Sequence, residues 1–340
     1  KKSTSMFAEL LSGFREARAL IEQSGLSFED GFDEMFGIYE NEVLVATGAR
    51  AGYVLKMLAV DSAWQGGPLL GEIINSLMSR GRAAGHESFF IYTKPDYATT
   101  FAALNFRLLA SQGKVVLLEY GQGLANWLQT YQPLLRPGRN AAVVMNCNPF
   151  TNGHRYLVET AASEVDHLYL FVVREDRSVF PFEVRSRLVE EGVRDLGNVH
   201  VLDSSRYIVS NATFPTYFLK RDDPVARIQA ELDATLFGTQ IAPFFGISRR
   251  YVGSEPGCPL TASYNAAMQR ILPPLGVEVR EIARKTASTG VISASRVREL
   301  FVQGNWAALA EYVPPTTLDF LRSEAAAPIL ASLNNQGGKP

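Results

Sequence analysis

The chain has few of the features that mark the simpler functional classes. It holds two cysteines, Cys147 and Cys258, among 340 residues, too few and too far apart for a disulfide framework or a zinc knuckle. Its 33 basic and 35 acidic side chains nearly cancel, so no broad positive field would attract nucleic acid or an acidic membrane. We find no signal peptide and no apolar run long enough to cross a bilayer. These absences favour a cytoplasmic protein that recognises a compact ligand or a protein partner.

The chain does contain enough apolar material for two cores. Hydrophobic residues make up 46% of it, and its length is typical of two ordinary domains. The stretch 131–140 holds two prolines and a glycine between apolar segments, and we place the domain boundary there. The predicted domains are residues 1–135 and 141–325, followed by a tail, 326–340, that we expect to be frayed.

One stretch of the second domain predicts an anion-binding site. Residues 141–145 have the pattern of a buried strand, Asn148-Pro149 breaks it, and a helical apolar spacing starts at Gly153. A helix start presents unpaired N–H groups and the positive end of the helix dipole, and Gly153 lets a ligand approach the backbone. His154 adds a side-chain donor there. A lone histidine is more often structural, but this position favours contact with a phosphate.

The rest of the second domain alternates strands and helices, which predicts a doubly wound parallel sheet. The predicted strands are 141–146, 167–173, 199–202, 250–252 and 277–282. Ligands bind beyond the carboxyl ends of such strands, at the point where the strand order reverses. Arg174 follows the second predicted strand at that edge. It could meet a phosphate or a carboxylate, or simply be solvated.

Two short motifs of this domain resemble those of the nucleotidyltransferase superfamily. Thr151-Asn-Gly-His154 matches the T/H-x-G-H signature, and Ile292-Ser-Ala-Ser-Arg-Val-Arg298 is similar to the I-S-x-S-x-x-R motif, in the expected order. The resemblance implies a Rossmann-like fold and catalytic roles on the phosphates of ATP for His154, Thr151, Ser293 and Arg298. The alternative is that Thr151 and Ser293 only cap helices.

Residues around these motifs are candidates for further nucleotide contacts. Asn146 and Asn148 could orient the phosphate loop, and Glu255 could accept a hydrogen bond from ribose or adenine, or merely cap a helix. Cys147 has no evident base and is expected to be a small buried side chain. No residue is predicted to ligate a metal. The predicted cofactor-binding residues are Asn146, Asn148, Phe150, Gly153, Arg174, Glu255 and Ser295.

Longer runs resemble one family, the citrate lyase ligases, over nearly the whole chain. These runs are residues 146–154, Phe214-Pro-Thr-Tyr-Phe-Leu-Lys220 and Tyr251-Val-Gly-Ser-Glu-Pro256. The resemblance implies that ATP and Mg²⁺ activate acetate as acetyl-AMP, which then acetylates the thiol of a CoA-like prosthetic group on the acyl-carrier subunit of citrate lyase. AMP and pyrophosphate are released. An adenylyltransferase acting on a phosphopantetheine-like or nicotinamide nucleotide substrate is the alternative.

The first domain resembles the GNAT acetyltransferase fold. An amphipathic helix is predicted over residues 6–23, short strands follow, and a Gly-rich turn at Gln65 opens another helix. In the GNAT family such a turn holds the pyrophosphate of coenzyme A through N–H groups at a helix start. Here Pro68 replaces a glycine and removes a donor, and Leu70 replaces the second small residue. The sequence leaves open whether this domain binds acetyl-CoA, holds a carrier-borne arm, or is a docking scaffold.

Overall fold

The computed structural model describes residues 7–174, 177–209, 214–254, 259–288 and 290–336. The chain forms two compact units, one made of residues 1–129 with 213–232 and the other of residues 130–212 with 233–340. The second unit starts near the expected boundary. The sequence did not indicate that residues 213–232 belong with the first unit.

The first unit is built on a mixed sheet. Within its described residues the strand order is β1-β2-β3-β4-β5-β7-β6, with β4 and β5 parallel and every other neighbouring pair antiparallel. The first unit is therefore a mixed α/β fold, as the sequence led us to expect. Its elements are β1 (Glu9–Leu10), α1 (Arg15–Gln23), β2 (Glu34–Glu40), β3 (Val43–Ala51), β4 (Val54–Val60), α2 (Leu69–Ala83), β5 (Phe89–Thr93), α3 (Ala98–Ala102), β6 (Phe106–Gln112), β7 (Val115–Tyr120) and α4 (Gly123–Thr130).

The prediction of a helix over residues 6–23 is wrong at its start. Glu9 and Leu10 pair with β2 as a short edge strand, and the helix begins at Arg15. Phe7 and Leu10 are exposed, whereas Leu20 and Ile21 are buried. The apolar spacing at the start of the chain predicted a helix, but Glu9 and Leu10 pair with β2 instead. This part of the chain is therefore an edge strand.

Residues 214–223 complete the first unit. The Tyr217 hydroxyl donates to the carbonyl oxygen of Tyr92 at 2.5 Å, where β5 has passed its last pairing with β4. One carboxylate oxygen of Glu29 accepts from the backbone N–H and the hydroxyl of Thr216, both at 2.6 Å, while its other oxygen pairs with Lys56 at 2.8 Å. Because Tyr217 is buried, these bonds hold the segment inside the unit as part of its core.

The second unit has the predicted doubly wound sheet. In the described residues its five strands are all parallel, in the order β10-β9-β8-β11-β12. The order reverses between β8 and β11, which places the crevice at their carboxyl ends. The elements that follow α4 are β8 (Asn140–Met145), α5 (Asn152–Glu164), β9 (His167–Val172), α6 (Phe182–Gly192), β10 (Val199–Asp203), α7 (Val225–Leu236), α8 (Ala242–Phe245), β11 (Ile247–Gly253), α9 (Pro259–Ile271), β12 (Glu278–Ile282), β13 (Thr286–Ala287), β14 (Gly290–Val291), α10 (Ala294–Val302), α11 (Trp306–Tyr312), α12 (Pro315–Arg322) and α13 (Ala327–Gln336).

One apolar core fixes both predicted motifs in the second unit. It joins the strand residues Val143 and Leu170 to Val158 of α5 and to Val297 and Leu300 of α10, all fully buried or nearly so. Each such side chain contributes roughly 1.5–3 kcal/mol when it leaves water. The two motif helices are therefore packed on the same core.

The expected frayed tail is also wrong within the described residues. Helix α13 spans Ala327–Gln336, and Ile329 is buried in the core of the second unit. The polar residues near the end of the chain predicted a frayed tail, whereas Ile329 makes a buried apolar contact. None of the helices in the described ranges has both the length and the apolarity that crossing a membrane requires.

Candidate active site

The loop after β8 is held by hydrogen bonds from the segment before α6. The side-chain amide of Asn146 donates to the Ser178 hydroxyl at 3.1 Å, and Oδ1 of Asn148 accepts from the backbone N–H of Phe180 at 3.0 Å. Both asparagine side chains therefore shape the loop itself. The loop backbone is in turn placed at the carboxyl end of β8, beside the sheet crevice.

Thr151 begins helix α5 with a reciprocal capping box. Its Oγ1 accepts from the backbone N–H of His154 at 3.3 Å, and its own N–H donates to Nδ1 of His154 at 3.0 Å. The histidine thus takes the place that a glutamate or glutamine has in the usual box. The positive end of the helix dipole lies at this point, which favours an anion.

His154 is arranged as a neutral hydrogen-bond donor. Because Nδ1 accepts from Thr151 N–H, we assign the ring proton to Nε2. Burial, together with the positive charge of Arg284, lowers the pKa of His154 to about 4, so the ring carries no charge at pH 7. The ring stacks on fully buried Phe150, with centroids 5.9 Å apart and planes at 13°.

The Phe150 ring packs against the neighbouring helix α6 at Gly192, where a side chain would leave no room for the ring. A Cβ atom at Gly192 of α6 would lie 2.5 Å from the Phe150 ring, closer than real contacts allow. Phe150 therefore acts from inside the protein, as the support on which His154 rests. This places it beneath the candidate site, where it sets the orientation of a donor.

The second motif lies directly against the first. Gly153 is so near to Ile292 that an added Cβ would be 3.3 Å from the Ile292 carbonyl oxygen. Ser293 caps α10 by accepting from the N–H of Arg296 at 3.1 Å. The structure thus brings together two helix starts that are separated by more than a hundred residues of sequence.

Arg298 links the second motif to the loop after β8. Its Nη1 donates to the carbonyl oxygen of Asn148 at 2.5 Å, and its Nη2 donates to the Ser295 hydroxyl at 3.1 Å. Burial lowers the pKa of the guanidinium, which stays charged at neutral pH because an arginine pKa starts so high. A positive group is therefore fixed beside the loop, with Ser295 helping to orient it.

Arg174, one of the predicted binding residues, has an acidic partner in the structure. The Arg174 guanidinium pairs with Asp203 at 2.5 Å, lies 3.8 Å from a carboxylate oxygen of Glu183, and sits over the Phe182 ring at 3.9 Å. It would have to leave Asp203 to meet a phosphate. Glu255 lies outside the described residues.

Cys147 lies in the loop but is not arranged as a nucleophile. Its side chain is 1% exposed, and burial raises the pKa of the thiol well above its usual range. A thiol that stays protonated at neutral pH cannot act as a thiolate. The structure thus agrees with the expectation of a small buried side chain.

Sequence reasoning missed Arg185 of α6, whose side chain is fully buried. It donates through Nη1 to the carbonyl oxygens of Asn146 at 2.6 Å and Val173 at 2.7 Å. A signal was present, since Arg185 occupies the same helix face as buried Leu188 and Val189. An arginine on an apolar helix face is a candidate for an internal role.

Among the described residues, no metal centre made of protein groups accompanies this cluster. Across the described ranges, no three histidine, cysteine, aspartate or glutamate side chains lie close enough together to hold a metal ion. The donors that do converge are N–H groups, an imidazole and a guanidinium, which suit phosphate oxygens. A doubly wound parallel sheet with such donors at its switch point is the arrangement that the resemblance to the nucleotidyltransferase superfamily led us to expect.

The chain belongs to the citrate lyase ligase family. Residues 140–321 match the family described as the citrate lyase ligase C-terminal domain. The citrate pro-3S-lyase ligase of Klebsiella pneumoniae is 41% identical over 308 residues, covering 88% of this chain and 90% of that protein. The protein of the same name from Haemophilus influenzae is 38% identical over 314 residues, covering 90% of this chain and 94% of its own length.

Similarity to an adenylyltransferase is more limited. A phosphopantetheine adenylyltransferase from Streptococcus agalactiae is 29% identical over 122 residues, which cover 34% of this chain and 74% of that protein. The ligase relatives match along both units, whereas this match is short. The adenylyltransferase alternative is therefore not favoured.

Proposed function

We propose that the chain uses ATP to activate acetate as acetyl-AMP and then acetylates the thiol of a CoA-like prosthetic group on the acyl-carrier subunit of citrate lyase. The observation that carries this proposal is the meeting of the two motifs, with Gly153 against Ile292 and Arg298 on the carbonyl of Asn148. The name of the ligase relatives supports citrate lyase as the acceptor, and the choice of acetate follows the family resemblance of the sequence. ATP and a reduced thiol are both reactants of the cytoplasm.

The donor set fits the phosphates of ATP. The α5 start offers backbone N–H groups, His154 offers Nε2–H, and Arg298 offers a guanidinium. The missing Cβ of Gly153 makes room for Ile292 and so lets the two motifs meet. Ser293 and Thr151, at the two helix starts, complete the proposed catalytic set. Since no acidic cluster faces this site in the described residues, Mg²⁺ would be held by the phosphates and water, where it supplies charge neutralisation.

Two displacements then make the product. A carboxylate oxygen of acetate attacks the α-phosphorus, the bond to the bridging oxygen of the β-phosphate breaks, and pyrophosphate leaves. His154 and Arg298 stabilise the negative charge that grows on the phosphate oxygens. The carrier thiolate next attacks the acetyl carbonyl carbon, and AMP leaves with the bonding electrons. No protein nucleophile is needed, so positioning and fixed charge provide the catalysis.

AMP formation tests the proposal. Purified chain is incubated with ATP and Mg²⁺, with or without acetate, and with or without deacetylated citrate lyase complex. We expect AMP release only when both acetate and the complex are present, and acetate-dependent exchange of pyrophosphate into ATP without the complex. An adenylyltransferase would release pyrophosphate but no AMP, and it would require a phosphorylated acceptor. That pattern would overturn the proposal.

A further inference from the structure

Arg185 connects three segments that surround the candidate nucleotide site. Its Nη1 donates to the carbonyl oxygen of Asn146 at 2.6 Å and to the carbonyl oxygen of Val173 at 2.7 Å. Its Nε donates to the carbonyl oxygen of Phe180 at 3.0 Å, and the side-chain oxygen of Asn146 is a fourth acceptor at 3.0 Å. Asn146 follows β8, Val173 follows β9, and Phe180 precedes α6. One guanidinium therefore joins two strand ends and a loop.

The backbone of the phosphate loop is controlled by two arginines. Arg185 donates to the carbonyl oxygen of Asn146, and Arg298 donates to the carbonyl oxygen of Asn148 at 2.5 Å. Phe180, whose carbonyl is held by Arg185, donates its N–H to the side chain of Asn148 at 3.0 Å. Hydrogen bonds to a charged guanidinium are short and directional. The loop therefore has its carbonyl groups fixed at both asparagines.

The direction of those carbonyls matters for an anion. A carbonyl oxygen carries the negative end of a peptide dipole and repels a phosphate, whereas an N–H group attracts it. The carbonyls of Asn146 and Val173 are aimed at a side chain that is fully buried. They are thereby turned away from the crevice at the ends of β8 and β9.

We propose that Arg185 is a positioning residue for the nucleotide phosphates. It does not touch the nucleotide. It holds the strand-end carbonyls inside the protein so that the α5 start and His154 present donors to the site. This inference rests on the proposed function for the location of the nucleotide, but it concerns binding of ATP and not the later transfer of acetate.

Arg250 provides a matched control. It is another arginine of the second unit with a side chain about 1% exposed, and it donates to the Tyr264 hydroxyl at 3.0 Å and lies over the Phe237 ring at 4.5 Å. Both arginine to lysine changes shorten a buried guanidinium to an ammonium. The control matches burial and charge, whereas Nε and Nη1 of Arg250 are buried without a hydrogen-bond partner among the described residues. The stability of each variant is therefore measured beside its affinity.

The test compares ATP binding by Arg185→Lys, Arg250→Lys and the unchanged chain. Calorimetry with the α,β-methylene analogue of ATP and Mg²⁺ measures affinity, and thermal unfolding measures stability. Since small misplacements of binding groups can cost about 100-fold, we expect Arg185→Lys to lose at least about tenfold in affinity. Arg250→Lys should stay within about threefold of the unchanged chain at a comparable loss of stability. Ethylguanidinium added to Arg185→Ala should restore part of the affinity.

Two results would overturn the proposal. One is an Arg185→Lys protein that folds and binds the analogue as tightly as Arg250→Lys does. The other is failure of Arg185→Lys to fold under conditions where Arg250→Lys folds, which would assign Arg185 to the core alone. If the unchanged chain binds the analogue but makes no AMP with acetate, the proposed function fails while the affinity comparison still decides the role of Arg185.

Discussion

Two helix starts in this protein lie close to a glycine, but the sequence predicted an anion site at only one of them, and the structure gives the two different donors. Helix α5 begins with Thr151, whose side chain caps the helix together with His154. Helix α2 begins after Pro68, which has no N–H and makes no side-chain cap. A strand, a turn and a helix are therefore insufficient to specify an anion site. Whether such a turn can bind an anion also depends on how many N–H and side-chain donors face it.

The surroundings of the two turns differ as well. In the first unit the side chain of Gln65, which matches the GNAT pattern, donates back to the carbonyl of Val60 at 3.2 Å. In the second unit, the carbonyl of Asn148 in the turn accepts from Arg298, and the side chain of Asn148 accepts from the Phe180 N–H. We infer that the first turn does not hold pyrophosphate strongly. A carrier-borne arm needs less intrinsic affinity, because tethering raises its effective concentration.

The largest effect that separates the two turns should come from His154→Ala. Loss of one preorganised donor in a transition state typically costs roughly 2.7–4 kcal/mol, about 10²- to 10³-fold in rate. We expect AMP formation to fall by that factor while circular dichroism stays unchanged. His200→Ala, which removes a partly exposed histidine paired with His167 at 3.3 Å, is the control. Near-normal turnover in folded His154→Ala would remove this residue from the proposed site.

Arg298→Lys should have the next largest effect. A lysine keeps the positive charge, but it lacks the planar guanidinium that can donate to the Asn148 carbonyl and to a phosphate at the same time. Loss of a hydrogen bond to a charged group predicts about a 10- to 100-fold drop in kcat/KM for ATP. The matched change is Arg296→Lys on the same helix, where the side chain is exposed and pairs with Glu299 at 2.8 Å. Equal kinetics in the two variants would contradict a role for Arg298.

The pKa of His154 predicts a pH dependence of stability. Its value is about 4 in the folded protein against 6.5 for an ordinary histidine, so the unfolded chain binds more protons between these values. The free energy of unfolding should therefore fall as the pH drops from 6.5 towards 4. In urea titrations at pH 7 and pH 4.5, the unchanged chain should lose more stability than His154→Gln does. Identical losses would show that the histidine is not held neutral.

The smallest effect is expected at the first turn. Pro68→Gly restores a backbone N–H at the start of α2, and it should change the free energy of unfolding by about 1 kcal/mol or less. We expect AMP formation with the citrate lyase complex to be unchanged. A marked gain or loss of activity would mean that this turn contacts a substrate, and the contrast between the two helix starts would disappear.

The sequence predicted the second unit better than the first for a physical reason. Its inner strands β8 and β9 are buried on both faces, so they appear as unbroken apolar runs, and predicted strand 167–173 matches β9 (His167–Val172) closely. The edge strand at Glu9–Leu10 is too short for such a signal. The candidate site was visible through local motifs, whereas the pairing of Arg174 with Asp203 and the buried place of Arg185 depend on contacts between distant segments.

The inserted segment has a consequence for how the chain is made. Thr216 is hydrogen-bonded to Glu29 and Tyr217 is buried in the first unit, yet these residues are synthesised long after its last strand, β7. At roughly 5–20 residues per second, the ribosome holds an incomplete first unit for several seconds. A fragment starting at residue 138 would contain this segment without its partners in residues 1–129, and a fragment ending at residue 137 would lack the segment. To express the two units separately, the segment would have to be moved into the piece that holds the first unit, by circular permutation or by grafting.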